Sequence, residues 1–443
     1  MQDILPPLGT DAILAGMIKR RNFLLLGAGA ACGRPVNMDM IAERYVKLVL
    51  SLGMHDASYV DAFYGPAAWK TEVAAQKLSL DQIRSNGAGL LGLLGNRPPA
   101  SVDDEMVHLR HRYLLVQTSS LIARAEMMSG KKYSFDEESR ALYDAVAPSV
   151  PVSDFDQTLA QVEKLVPGRG TLPERCDAWR KQFQIPPDRL DAVFKTAIDE
   201  ARARTRRHIQ LPGNESFKVE YVNKQVWSAY NWYKGGAQSV IQVNTDLPVE
   251  ANFAIRLACH EGYPGHHVYN ALLEDRLVRK RGWVEYSVYP LYSPQSLIAE
   301  GSADYGVELA FPAAERADFL ARRIFPLAGI EPGMAQKYLE VAALVDTLGR
   351  AGNLAARRYV DGEINRSQCQ GMLEKYVLHS PARAEQRVRF IDKNRSYVIN
   401  YNVGEDLIRA HMKARGAAGS GPEAWKEFEA LLASPRLPSG LSH

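Results

Sequence analysis

The chain is poor in cysteine. Its 443 residues include four, Cys32, Cys176, Cys259 and Cys369, and no two stand in CxxC spacing. Neither a zinc ribbon nor a redox pair is suggested, and no disulfide framework is implied. An excess of one charge is also lacking: the formal net charge is +3. The densest basic run, Arg202-Ala203-Arg204-Thr205-Arg206-Arg207-His208, carries no interleaved aromatics. It reads as a solvated helix face, and no nucleic-acid partner is expected. There is no internal repeat, and no apolar run approaches the about 20 residues of a membrane-spanning helix. What is present is a chain 46% hydrophobic and 24% charged, a soluble globular balance. It is long enough for one large domain or two ordinary ones with a substantial core.

The N-terminal residues read as an address. In Ile18-Lys19-Arg20-Arg21-Asn22-Phe23-Leu24-Leu25-Leu26-Gly27-Ala28-Gly29-Ala30-Ala31-Cys32 a basic cluster precedes a short apolar run ending in small residues, the layout of an export signal. Arg20-Arg21-Asn22-Phe23-Leu24 resembles a twin-arginine signal. Ala30-Ala31-Cys32 partly resembles a lipoprotein cleavage box, with Gly29 where a larger aliphatic residue is usual. The expectation is an exported, periplasmic protein, with a lipid tether at Cys32 as a variant and no membrane span. It is cytoplasmic if the signal is not used.

The chain after the signal is expected to be mainly α, with a small β-sheet beside the active-site helix. Apolar residues recur at helical spacing over Met40–Leu50 and His108–Met128, and Pro98-Pro99, Pro148–Pro151, Pro167-Gly168 and Pro186-Pro187 punctuate the helices. Phe217–Val222 alternates with period two, Ser239–Asn244 is a short apolar strand candidate, and Gly235-Gly236 lies between them. Helices resume from Val249. These readings divide the chain into an export segment with upstream extension (1–35), a helical region (36–215), a metal-binding catalytic region (216–415) and a C-terminal tail (416–443), whose Gly/Ala/Ser-rich start reads as loose.

The chemistry lies in His260-Glu261-Gly262-Tyr263-Pro264-Gly265-His266-His267. Val249–Cys259 reads as a helix running straight into His260-Glu261. A helical His followed by Glu is the first half of a zincin site, in which the His binds metal and the Glu serves as general base toward the attacking water. The second half is not standard. Four residues after His260 stands Pro264, which cannot coordinate a metal and interrupts the helical ladder. On a straight helix His267 points within about 20° of His260, so His267 is the preferred second ligand. A sharp bend at Pro264-Gly265 would select His266 instead. Ordinary core or surface histidines are the competing reading, but three of the chain's ten histidines fall within this one segment. Glu300, in Leu297-Ile298-Ala299-Glu300-Gly301-Ser302-Ala303-Asp304-Tyr305, is the expected third ligand, with Glu308 its competitor. Asp304 could orient a ligand histidine from behind.

His260-Glu261-x-x-Pro264-Gly265-His266-His267, followed by Glu300-Gly301-x-Ala303-x-Tyr305, resembles the bacterial DUF885 family, with its HExxPGHH and EGxAxY motifs, over about residues 216–410. The resemblance implies a large helical, metallopeptidase-like fold. It also implies a gluzincin-type zinc site completed by a Glu on a later helix. Ile399–Gly404 matches a family segment with Tyr and Gly at those places. Arg357–Asn365 resembles a stretch that usually runs Asp-Thr-Gly-x-His, but Glu363 is out of pattern and Asn365 replaces the His.

The expected activity is hydrolysis of a peptide or amide bond with one zinc ion, Glu261 as general base and Tyr401 as oxyanion donor. Asn244, Arg395 and Tyr397 are the expected substrate-binding residues. The Ser239–Asn244 strand would pair with an extended peptide as an edge strand, approached closely at Gly235 and Gly236. Two other readings are a non-catalytic metal-bearing binding protein and a non-haem iron enzyme, since two His and a carboxylate also suit iron.

Overall fold

The computed structural model describes residues 37–95 and 104–441. The export signal, Cys32 and Pro98-Pro99 lie outside them. The apolar periodicity near the start forms α1 (Met38–Gly53), which buries Ile41, Tyr45, Val46, Val49 and Leu52. The expected unbroken helical pattern then gives way to a strand, β1 (Val60–Phe63). It pairs antiparallel with Val288–Pro290. Four residues carry no usable periodicity, and a partner more than 200 positions away, with Val60 opposite Pro290, decides their conformation. The long helix α2 (Glu105–Met128) forms behind an Asp104 cap.

The basic run lies at the end of α3 (Leu190–Arg206), and three of its four arginines pair within the chain. Arg202 and Arg206 pair with Glu215, and Arg204 with Glu200 and Glu315.

The sheet has three strands, β2 (Ser216–Val222), β3 (Ala229–Gly235) and β4 (Gln238–Asn244), in the order β2-β4-β3. β4 is parallel to β2 and antiparallel to β3. It is therefore the central strand, with both edges occupied, and the expectation that it pairs with substrate as an edge is overturned. Gly235 and Gly236 instead form the β3–β4 turn, at φ of 80° and 65°, which favours glycine.

Beyond the sheet come α4 (Ala251–Leu257), α5 (His266–Leu273) and α6 (Pro294–Ala310). α6 is buried on nearly every side, the mark of a central helix. Helices α7 (Pro381–Asn394) and α8 (Ile399–Ala414) follow. The chain continues past its Gly/Ala/Ser-rich stretch into a further helix. After turns at Gly416 and Gly419, α9 (Pro422–Leu432) buries Trp425, Phe428 and Leu432. The fold is mainly α with a small sheet beside the motif helix, as the pattern predicts.

Candidate metal centre

The motif does not continue α4 as a straight helix. From Ala258 to Gly262 the backbone opens into one π turn, a widening often found at functional sites. The Tyr263 N–H donates to the Ala258 carbonyl at 3.0 Å, and the Gly265 N–H to that of Cys259 at 2.9 Å. Pro264 has no N–H to extend the ladder, and α5 starts afresh at His266. A Cβ on Gly265 would stand 1.9 Å from the His260 carbonyl oxygen, so the reversal requires glycine.

The consequence is a change of register. The His266 ring lies beside that of His260, centroids 4.6 Å apart. Ligand atoms of His260, His266 and Glu300 all fall within 4.8 Å of one another. His267, the preferred second ligand from straight-helix geometry, is outside this group. It is fully buried, with Nδ1 2.8 Å from the Ser239 hydroxyl and Nε2 3.1 Å from Glu215. No straight helix connects His260 to His267, so the two side chains do not share a direction.

Glu300 reaches the group from α6. Its Oε2 lies 3.1 Å from His260 Nε2 and 3.6 Å from His266 Nε2. Its other oxygen accepts from the Tyr397 hydroxyl at 2.6 Å. Burial alone would raise the Glu300 pKa, but hydrogen bonds from both histidines bring it well below the usual range. Asp304 accepts from His260 Nδ1 at 3.0 Å, and Arg256 lies 3.6 Å from the same carboxylate. Glu308, the competing ligand, is paired with Arg409 at the surface. α6 and α8 meet glycine on glycine: a Cβ on Gly301 would stand 2.2 Å from the Gly404 carbonyl carbon. That contact sets Tyr397 and Tyr401 against the group.

Glu261 is buried, and its Oε2 has no hydrogen-bond partner among the described residues. Burial pushes its carboxyl pKa up, while His260 and His266 oppose the rise. Asn231 fixes its backbone through a 2.6 Å bond to the Glu261 carbonyl. The Tyr401 ring lies 6.4 Å from the His260 ring.

Two of the expected substrate residues already have partners within the chain. Asn244 donates to the Gln225 and Trp227 carbonyls and holds a turn. Arg395 pairs with Glu138 at 2.6 Å. Both have structural partners that a single local segment does not disclose. Tyr397 is present, but its hydroxyl serves Glu300.

Other contributors were not legible in the sequence. Asp61, on β1, accepts from the Tyr230 hydroxyl. It is raised to about 7 by burial, with His266, Glu300 and Glu261 as its charged neighbours. Glu215 gathers His267, Tyr263 and Arg202. Neither acid stands in a motif, and only the packing of β1 and β2 brings them here.

The donor set fits a small divalent ion. Ligands about 2.1 Å from a tetrahedral zinc would stand about 3.4 Å apart, and two imidazoles with one carboxylate are ligands such an ion accepts. Among comparisons with known proteins, no family model matches the chain, and no curated protein matches it. The DUF885 resemblance therefore rests on the motif residues alone. Solved structures that it resembles include a "putative lipoprotein" from Colwellia psychrerythraea, at 14% identity and a TM-score of 0.48, over 84% of this chain and 71% of that one. Another is an M32 carboxypeptidase from Deinococcus radiodurans R1, at 12% identity and a TM-score of 0.41, over 89% and 87%. Likeness at this level adds nothing to the geometry.

Proposed function

We propose that the chain is a metal-dependent hydrolase of peptide or amide bonds, with His260, His266 and Glu300 holding one zinc ion. The observation that supports this best is the pairing of three ligand atoms within 4.8 Å with a buried carboxylate, Glu261, whose Oε2 is unpartnered among the described residues. A structural metal site has no use for such a base.

Zinc bound there would supply Lewis acidity toward the scissile carbonyl and lower the pKa of a water. Glu261 takes the proton of the attacking water and passes it to the leaving amine. Its burial strengthens it as a base relative to a solvated Glu. Asp304 fixes the His260 proton on Nδ1, which would leave the Nε2 lone pair available to a metal ion. Tyr397 holds Glu300 in place. Tyr401 donates to the oxyanion as the carbonyl becomes tetrahedral. No helix among the described residues is long and apolar enough to cross a membrane. The proposal includes export through residues 18–32, with Cys32 as the position of a tether.

Metal analysis and kinetics test the reading together. The protein should carry about one zinc. Glu261→Gln should keep it and lose turnover of a peptide library by about 10²–10⁴-fold. Tyr401→Phe should lose about 10²–10³-fold in kcat at unchanged zinc content. Turnover independent of Glu261 sinks the proposal. So does oxygen-dependent activity with bound iron.

A further inference from the structure

Arg383 and Arg387 stand four residues apart, and so on one face of α7. Both are only partly exposed. Every other arginine of that kind among the described residues has an acceptor, as Arg110 has Glu285, Arg124 has Asp56 and Arg357 has Asp136. For Arg383 and Arg387 no ion pair or side-chain hydrogen bond is found among the described residues. They have aromatic faces instead. The Arg387 guanidinium lies 4.9 Å from the Phe390 ring and 5.8 Å from the Tyr401 ring, and Tyr401 in turn faces His260. Arg383 lies 6.0 Å from the ring of Phe253, on the helix that leads into His260. With Ser228, Asn244 and Gln386 it lines a groove.

A partly desolvated cation without a paired acceptor is costly. Burial lowers the pKa of both guanidinium groups; Glu250 opposes the shift at Arg383, and Tyr401, Cys369 and Glu300 oppose it at Arg387, but none of them forms an ion pair or side-chain hydrogen bond with either arginine among the described residues. A guanidinium stacked on aromatics with its donor edge free is preorganised for a carboxylate, which it holds bidentately. The carboxylates around the metal group, Glu261, Glu300, Asp304 and Asp61, repel an anion. The two arginines are the complementary place for one.

We propose that Arg387, assisted by Arg383, binds a carboxylate of the bound peptide, which makes anionic peptides the substrate class. The word substrate rests on the hydrolase reading above; the receptor itself does not need turnover. The carboxylate belongs either to the peptide C-terminus or to an acidic side chain, and two probes separate these.

The test is calorimetric titration of the zinc-loaded protein. The probes are N-acetyl-L-alanine, its neutral amide, and the α-amide of N-acetyl-L-glutamic acid, which is charged only on its side chain. At least one acid should bind about tenfold or more tightly than the neutral amide. The first acid alone indicates a terminal carboxylate, the second alone a side chain. Arg387→Ala should abolish the preference at unchanged zinc content and unfolding midpoint. Arg387→Lys should restore part of it, because an ammonium cannot bind bidentately, and Arg383→Ala should weaken it. The receptor is overturned if no acid binds at millimolar concentration, if acid and amide bind alike, or if Arg387→Ala retains the preference. Loss of Glu261-dependent turnover with the preference intact would instead remove the hydrolase and leave the receptor.

Discussion

His260 Nδ1 lies 3.0 Å from an oxygen of Asp304, one helical turn beyond Glu300 on the same α6. One helix thus supplies both a carboxylate beside His260 Nε2 and the acceptor for its other nitrogen. Asp304→Asn should weaken zinc binding by about 10–100-fold, as read by competition with a chelator. Unchanged affinity would mean that Asp304 does not orient His260.

His266 and His267 should separate cleanly. His266→Ala should lose zinc and, compared metal-free with metal-free, keep its unfolding midpoint. His267→Ala should keep zinc and lose about 3 kcal/mol of stability, because Glu215 is left buried without one of its partners. Metal analysis beside urea denaturation reads both, and the reverse pattern would return the ligand role to His267.

The glycine contact between α6 and α8 is rigid on both sides. Gly301→Ala would press a methyl against Gly404 backbone, and about 3 kcal/mol should be lost. Gly371 lies within a helix with nothing near a would-be Cβ. Gly371→Ala should gain up to about 1 kcal/mol. Equal effects at both positions would show that the close approach is unimportant.

Glu215 links stability to acid. Burial would raise its carboxyl, but hydrogen bonds from His267, Tyr263 and Arg202 hold it at about 2 rather than 4.5. A depressed folded value means that its contribution is full above about pH 4.5 and is lost as pH falls toward 2. Glu215→Gln should flatten the stability profile across that window. A parallel, merely shifted profile would contradict the assignment.

The proposed chemistry is readable at His260-Glu261 and Glu300-Gly301 in the sequence alone, because the residue types and their adjacency are what a metal and a base require. The helices, too, follow from local periodicity, as at α1 and α2. The second histidine was decided by tertiary structure. Straight-helix geometry favoured His267, and the π turn with the Pro264-Gly265 reversal put His266 in its place. β1, with Asp61, exists only because Val288–Pro290 pairs with it. The central position of β4 depends on β2 and β3 together. Arg387 looks like any helix-surface arginine until the side chains around it are seen to offer no acceptor. Local sequence fixes which groups are available. Which groups meet depends on contacts between distant segments, and those are set by packing rather than by spacing along the chain.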